Sequence, residues 1–445
     1  MEQRKTILKI FAFSSAYGRK ALLLLAIALL AAAALAPAQG GMAKDEGVDG
    51  NGGNDYMIRF AHAGSRAEQA QAVADIGGVL VDWMPQINVA TVRFPDATAA
   101  RQATARLMTG RQAATVEPDS LIGSDSVAAE TVPVDDPDFN NAQRGYGQQR
   151  VQLPAAWSHT HGTSSIVIAV IDSGIDLSHP EFAGRIAPGY DFVNRDSNPT
   201  DDNGHGTHVT GIVAMALDGT GSVGMCPACT IMPLKVLNAD NRGNASNVVR
   251  AILHATDQGA RVINLSLGTV NNSAIMRDAI AYAHARGVVV VASVGNYGSN
   301  VARYPAAYAE VLAVSATGLD DGVWAQSNYG AWVDVAAPGV AIYSTALDDA
   351  EHTYASMTGT SSAAAFVSGL AALVLSQNAA LTAAEVQALI LENVDDLGAP
   401  GRDDHYGYGR LNAYSTLAAA APTSSEAQGK PEQGHGWIYL PAIVR

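Results

Sequence analysis

Between about residues 145 and 420 five apolar runs recur: VIAVID (167–172), IMPLKVL (231–237), VINLSLG (262–268), VVVVASVG (288–295) and VLAVSA (311–316). They are continuous rather than alternating, and rich in Val and Ile. A strand that is apolar on both faces has no solvated side, so these runs demand a parallel sheet buried between two helical layers. The stretches between and after them supply the helices: HGTHVTGIVAMAL, ASNVVRAILHATDQG, SAIMRDAIAYAHARG and SSAAAFVSGLAALVLSQ. Aromatic residues make up only 6% of the chain while Gly numbers 43, which suits closely packed α/β layers better than an aromatic-rich sandwich. In such a sheet the chemistry gathers in a crevice at the carboxyl ends of the strands.

The 445 residues exceed one typical domain, and shifts in composition divide them. A basic lead (Arg4, Lys5, Lys9, Arg19, Lys20) precedes the apolar run Ala21–Ala36, and Ala36-Pro37-Ala38 offers an A-x-A cleavage site. Residues 1–38 therefore read as a signal peptide, with a retained membrane anchor as the alternative. Residues 39–54 are a Gly-rich linker. Residues 55–122 read strand-helix-strand-strand-helix-strand, with AATVEPDSLI as the last strand, which is the ferredoxin-like α+β order. That unit holds no constellation that could do chemistry. Residues 123–134 form a polar, Pro-containing linker, residues 135–420 the α/β domain, and residues 421–445 a low-complexity tail ending in the short apolar patch WIYLPAIVR.

Acidic residues exceed basic ones by 42 − 27 = 15, a balance that favours solubility and disfavours nucleic-acid binding. The two cysteines, Cys226 and Cys229, are too few for a zinc site, and outside the cell a local disulfide is the expected state.

Four polar positions stand out at the ends of these elements. Asp172 closes the run VIAVID, where a carboxylate points into the crevice. His205 opens a helix in DDNGHGTHVTG; with His208 it lacks the Glu of an HExxH zinc pattern. Ser361 stands directly before a long apolar helix, as a simple cap or as a nucleophile whose oxyanion the helix N-terminus would stabilise. A nucleophilic serine needs a base, for which His205 is the candidate, and that base needs a carboxylate to fix its tautomer, for which Asp172 is the candidate. Asn296, just beyond VVVVASVG, could donate a second hydrogen bond to the oxyanion.

Taken in order, IAVIDSGID, NGHGTHVTG, VINLSLG, SVGNYG and GTSSAAAFVSG resemble the motif set of the subtilisin family over roughly residues 135–420, its thermitase-like branch most of all. The resemblance implies a secreted serine endopeptidase, monomeric and made as a zymogen. Its catalytic residues would be Asp172, His205, Ser361 and Asn296, and its substrates proteins or peptides. Residues 55–122 would be the family's inhibitory propeptide, an intramolecular inhibitor cut away between residues 123 and 134. A surface-attached regulatory protease and a catalytically inactive binding protein of the same fold are the alternatives. One departure stands in the serine motif: where the family has Pro, this chain has Ala365.

The resemblance also implies how a substrate is held. An extended strand would lie between Asn241-Arg242-Gly243 and Ser266-Leu267-Gly268. Ser293, Val294 and Gly295 would wall the primary pocket, and Arg303 would stand near its base. There Arg303 would either favour acidic or polar side chains or extend to solvent. Ala245 and Val248 would line the next large pocket. Structural calcium is implied twice: at Asp191, Asn194, Asp196, Asn198 and Thr200, and at Asp136, Glu181 and Asp218 with the carbonyls of Ala216, Thr220 and Ser222.

Overall fold

The computed structural model describes residues 54–110, 112–124, 131–132, 138–347 and 353–421. The expected signal peptide, nearly all of the expected first linker, the apolar tail and Asp136 lie outside the described residues.

The first unit runs β1 (Asp55–Phe60), α1 (Arg66–Asp75), β2 (Val79–Met84), β3 (Val89–Arg93), α2 (Ala97–Thr109) and β4 (Ala113–Pro118). Its antiparallel sheet has the order β2-β3-β1-β4, the ferredoxin-like arrangement. Strand alternation gives that sheet two different faces. Ile58, Phe60, Ala90 and Val92 pack with Val73, Ala103 and Leu107 of the two helices. Met57, Met84 and Val89 instead join the core of the larger domain.

The expected last strand, 113–122, is corrected by the structure. Asp119-Ser120 breaks it, and Leu121–Gly123 forms a separate strand, β5. This strand leaves the first sheet and pairs antiparallel with β9 (Arg242–Asn244) of the larger domain. The periodicity of the sequence runs through both halves and gives no sign that their partners differ.

The larger domain is built on a seven-stranded, wholly parallel sheet. From one edge to the other its order is β13 (Val335–Pro338), β12 (Val311–Thr317), β11 (Val289–Ser293), β10 (Val262–Leu265), β6 (Val167–Asp172), β8 (Thr230–Lys235) and β7 (Tyr190–Asp191). Along each central strand, successive side chains enter opposite cores. Ile168, Val170, Val289 and Val291 face one side, where α3 (His205–Ala214) and α6 (Thr360–Gln377) pack. Ala169, Ile171, Val290 and Ala292 face the other, where α4 (Ala245–Asp257) and α5 (Ala274–His284) pack. Cys226 and Cys229 are joined in a disulfide.

His208, on α3, is fully enclosed, and its Nε2–H donates to the carbonyls of Ile342 (3.0 Å) and Ala355 (3.1 Å). Burial, and then the neighbouring His205, push its pKa down to about 4. The unfolded chain therefore takes up this proton first as pH falls. The stabilisation is complete above about pH 6.5 and is lost progressively towards pH 4, by about 3 kcal/mol in all. Asp334 works the opposite way over part of that range, because burial raises it to about 6. A difference measurement removes that term. In a Ser361→Ala background, the urea stability gap between His208 and His208→Gln should narrow by about 2–3 kcal/mol between pH 7 and pH 4. A gap independent of pH would contradict the assignment.

Candidate active site

The centre of the crevice forms where the central strand ends. Asp172, the last residue of β6, is fully buried, and its Oδ1 accepts Nδ1–H of His205 at 2.6 Å and the backbone N–H of Ser173 at 2.7 Å. His205 is the first residue of α3. Gly204, which precedes it, has φ +98°, and a Cβ on Gly206 would stand 2.1 Å from the carbonyl oxygen of Gly174. Both glycines thus serve the turn that delivers the imidazole rather than clearing space around the ring.

Asp201 braces that turn, a role its place in a polar stretch did not reveal. It is buried and accepts from Ser173 Oγ, from the N–H groups of Asn203, Gly204 and Thr207, and from Thr207 Oγ1. Burial alone would raise its pKa, but these bonds hold it below the ordinary carboxylate value. Beneath the crevice, Lys235 is 1% exposed and donates to the carbonyls of Ser173 and Leu237 and to Asp202.

Ser361 is the second residue of α6, whose N-cap residue, Gly359, has no side chain to cap it. The start of the helix, Thr360 and Ser361, lines the cavity, which brings its N-terminal dipole to the crevice. The Ser361 hydroxyl donates to the Ser266 carbonyl at 3.3 Å, while Ser266 Oγ donates to the Ser361 carbonyl at 3.0 Å. Asn264 and Ser368 extend this buried network. Asn296 Oδ1 accepts the N–H (2.9 Å) and the hydroxyl (2.8 Å) of Thr360. That fixes the carboxamide with its oxygen on Thr360 and its NH₂ turned away from it, and Asn296 lines the same small cavity as Ser361. Thr360, unremarked in the sequence, is therefore the residue that orients Asn296. α3 and α6, which carry His205 and Ser361 at their starts, pack against each other.

The crevice holds a piece of the chain's own N-terminal region. β5 pairs with β9 on one side, and on the other Gly268 N–H donates to the Gly123 carbonyl at 3.0 Å. The two segments expected to flank a bound strand, 241–243 and 266–268, thus flank 121–124. Ile122 is buried in the apolar cluster that contains Ala245 and Val248. Asn241 donates to Ser124 Oγ and to its carbonyl. Ser293, Gly295, Arg303, Leu267 and Gly268 line one small cavity together with Ser361. Val294 is fully buried and is not among the residues lining it. Arg303 is folded along the pocket instead of reaching for solvent: its guanidinium donates to the Gly268 carbonyl at 3.2 Å and stands 4.4 Å from the centre of the Tyr297 ring.

Carboxylates of the first unit complete helix ends of the second. Glu117 accepts from Ser273 Oγ and from the N–H groups of Ala274 and Ile275 at the start of α5. Asp119 accepts from the N–H and hydroxyl of Ser246 at the start of α4, whose own Asn244 makes no side-chain cap. Burial raises the Asp119 pKa. Arg59–Asp278, Asp82–Arg250 and Gln86–Asp257 pairs surround these contacts.

The two expected cation loops differ. In the first, Asp191 is buried and already accepts the N–H groups of Val193 and Asn194, and Asp196 accepts that of Asn198. Thr200 donates to Asn198. This loop offers only oxygen ligands with two negative charges, which fits a hard cation. In the second, Glu181 accepts the Tyr354 hydroxyl on one oxygen and Ala216 N–H on the other, and burial raises its pKa to about 7. Asp218 accepts both the N–H and the hydroxyl of Thr220. Both carboxylates are thus engaged within the protein, and Asp136, the third expected there, lies outside the described residues. Among the described residues no three His, Cys, Asp or Glu side chains converge as a metal site.

Comparison with known proteins places this geometry among relatives. The subtilase family profile matches residues 163–409. Thermitase of Thermoactinomyces vulgaris is 42% identical over 284 residues, 63% of this chain and 98% of that protein. A thermophilic serine proteinase of Bacillus sp. (strain AK1) is 42% identical over 273 residues, 61% of this chain and 66% of that protein. Among solved structures, fervidolysin from Fervidobacterium pennivorans, a keratinolytic enzyme related to subtilisin, superimposes with a TM-score of 0.71 at 27% identity. That match covers 83% of this chain and 61% of fervidolysin.

Proposed function

The chain belongs to the subtilase family and is a serine endopeptidase of that family, and from this premise we propose that it is a secreted, self-processing protease working through Asp172, His205 and Ser361. The observation that carries the reading is the strand 121–123 lying in the crevice, aimed at the cavity that Ser361 and Asn296 line.

In this reading His205, its Nδ1 proton held on Asp172, offers a basic Nε2 to the Ser361 hydroxyl once that hydroxyl turns from the Ser266 carbonyl. Ser361 Oγ adds to the peptide carbonyl as His205 takes its proton. The oxyanion is met by the Asn296 amide and the N-terminus of α6. His205 then passes the proton to the leaving nitrogen, and water resolves the acyl-enzyme by the same steps in reverse. Main-chain pairing holds the substrate, so selection falls to the pockets beside it.

Residues 55–124 act as an intramolecular inhibitor that lies in the crevice as a substrate would. Incubated at neutral pH, the secreted chain should shed this unit and hydrolyse casein. A chain that stays whole and inert overturns the proposal. Surface attachment through the apolar tail remains the second reading, carried only by that segment of sequence.

Calcium, when bound at Asp191, Asn194, Asp196, Asn198 and Thr200, would supply charge neutralisation to a surface loop and take no part in the reaction. Chelator is expected to lower the melting temperature of the Ser361→Ala chain by roughly 5–10 °C, the effect of losing an ion held at about 100 times its Kd. An unchanged melting temperature would remove calcium from the reading.

A further inference from the structure

The pocket beside Ser361 has an ionic wall. Ser293, Gly295, Leu267 and Gly268 offer small or apolar surface, and Arg303 is the one charged side chain among the described residues lining it. Its placement is fixed locally. A Cβ on Gly295 would stand 3.2 Å from Arg303 Cγ, so the glycine lets the side chain lie flat along the pocket. The Tyr297 ring and the Gly268 carbonyl then hold the guanidinium there, half buried. A guanidinium carries five N–H donors in a rigid fork, a shape that matches a planar carboxylate and that a neutral pocket wall lacks.

The chain's own strand indicates which residue meets that wall. Ile122 is buried against Ala245 and Val248, and Gly123 is paired with Gly268. Gly123 and Ser124 line the cavity together with Arg303, and the Ser124 hydroxyl and carbonyl are taken up by the Asn241 amide. The strand has thus entered the cavity with a residue that has no side chain, Gly123, and one whose hydroxyl is held by Asn241, Ser124. The next residue in the sequence is Asp125.

Resting on the peptidase reading above, we infer that Arg303 makes this a protease that prefers an acidic residue immediately before the bond it cuts, and that its own maturation bond is Asp125–Ser126. Ser361 Oγ bonds to the Asp125 carbonyl carbon, and the C–N bond to Ser126 breaks as the nitrogen receives the proton from His205. Water then releases a new carboxylate at Asp125, leaving Ser126 as the new N-terminus. The broad preference expected of main-chain recognition is narrowed here by a single charge.

Two measurements on the full-length secreted enzyme test this. The first compares peptides Leu-Ile-Gly-Ser-X-Ser-Val that differ only at X, with Asp, Glu, Asn and Leu, by kcat/KM for wild type and Arg303→Asn. The wild type should favour Asp and Glu over Leu, and the ratio of acidic to Leu cleavage should fall roughly 10- to 100-fold in the variant, the range for losing a hydrogen bond to a charged group. Arg303→Glu should reverse the order for a Lys peptide. The second reads the N-terminus of the mature enzyme by mass; Ser126 is expected, and Asp125→Leu should slow its appearance. Equal cleavage of the Leu and Asp peptides, unchanged in Arg303→Asn, overturns this inference while leaving the peptidase standing. Failure to cut any of the peptides or casein overturns both.

Discussion

Ser361→Ala should accumulate at full length after signal removal and hydrolyse casein more slowly than wild type by a factor on the order of 10⁶. That magnitude is the one known for subtilisin, a member of the same family. Two features of the site bear on it here. Ser361 is 4% exposed, so water cannot easily take the place of its hydroxyl. The network of Ser266, Asn264 and Ser368 fixes the backbone on which the side chain sits and does not depend on Ser361 Oγ. The variant should therefore fold and keep its N-terminal unit docked. Size on a denaturing gel and casein turnover read the two effects separately. A variant that still loses its N-terminal unit, with no other protease present, would show that a different group makes the cut.

Asp172→Asn should lower kcat by roughly 10⁴ near neutral pH with little change in KM, the loss recorded for the equivalent change in a serine protease of unrelated fold. Asp172 Oδ1 accepts two donors, His205 Nδ1–H and Ser173 N–H. Because both donors meet the same oxygen, an asparagine that turns its NH₂ to His205 also gives up the bond from Ser173 N–H. The imidazole must then accept at Nδ1 and carry its proton on Nε2, where it can no longer take one from Ser361. The side chain is isosteric and buried, so shape is preserved while the tautomer is not. Steady-state kinetics with a near-ultraviolet spectrum separate this outcome from misfolding. A loss below about tenfold would mean that Asp172 merely packs against the ring.

The parallel sheet was legible because its strands are buried on both faces, and a continuous Val/Ile run suits few environments besides that one. Asp172, His205, Asn296 and Ser361 were legible because each sits at an element's end inside a short, glycine-rich stretch. What the sequence hid depends on partners far along the chain. Glu117 meets α5 more than 150 residues later, and Asp119 meets Ser246 127 residues later. Locally both are acids in an amphipathic strand. Asp201 and Thr360 look like ordinary turn and cap residues until Thr207 and Asn296 are beside them. Glu181 is a further case: its partner Tyr354 lies 173 residues away, out of reach of any local reading.

α4 enters the larger domain without a side-chain cap of its own, and its N-terminus is completed by Asp119 from the unit whose removal is proposed above. If that unit is cut away, folding and survival would be governed by different molecules. The intact chain has a template for the α4 and α5 ends, and a shortened enzyme would have lost it and would hold its shape by a high barrier to escape. Cleavage would then act as a ratchet, and the useful lifetime of the product would be set by an unfolding rate rather than by an equilibrium.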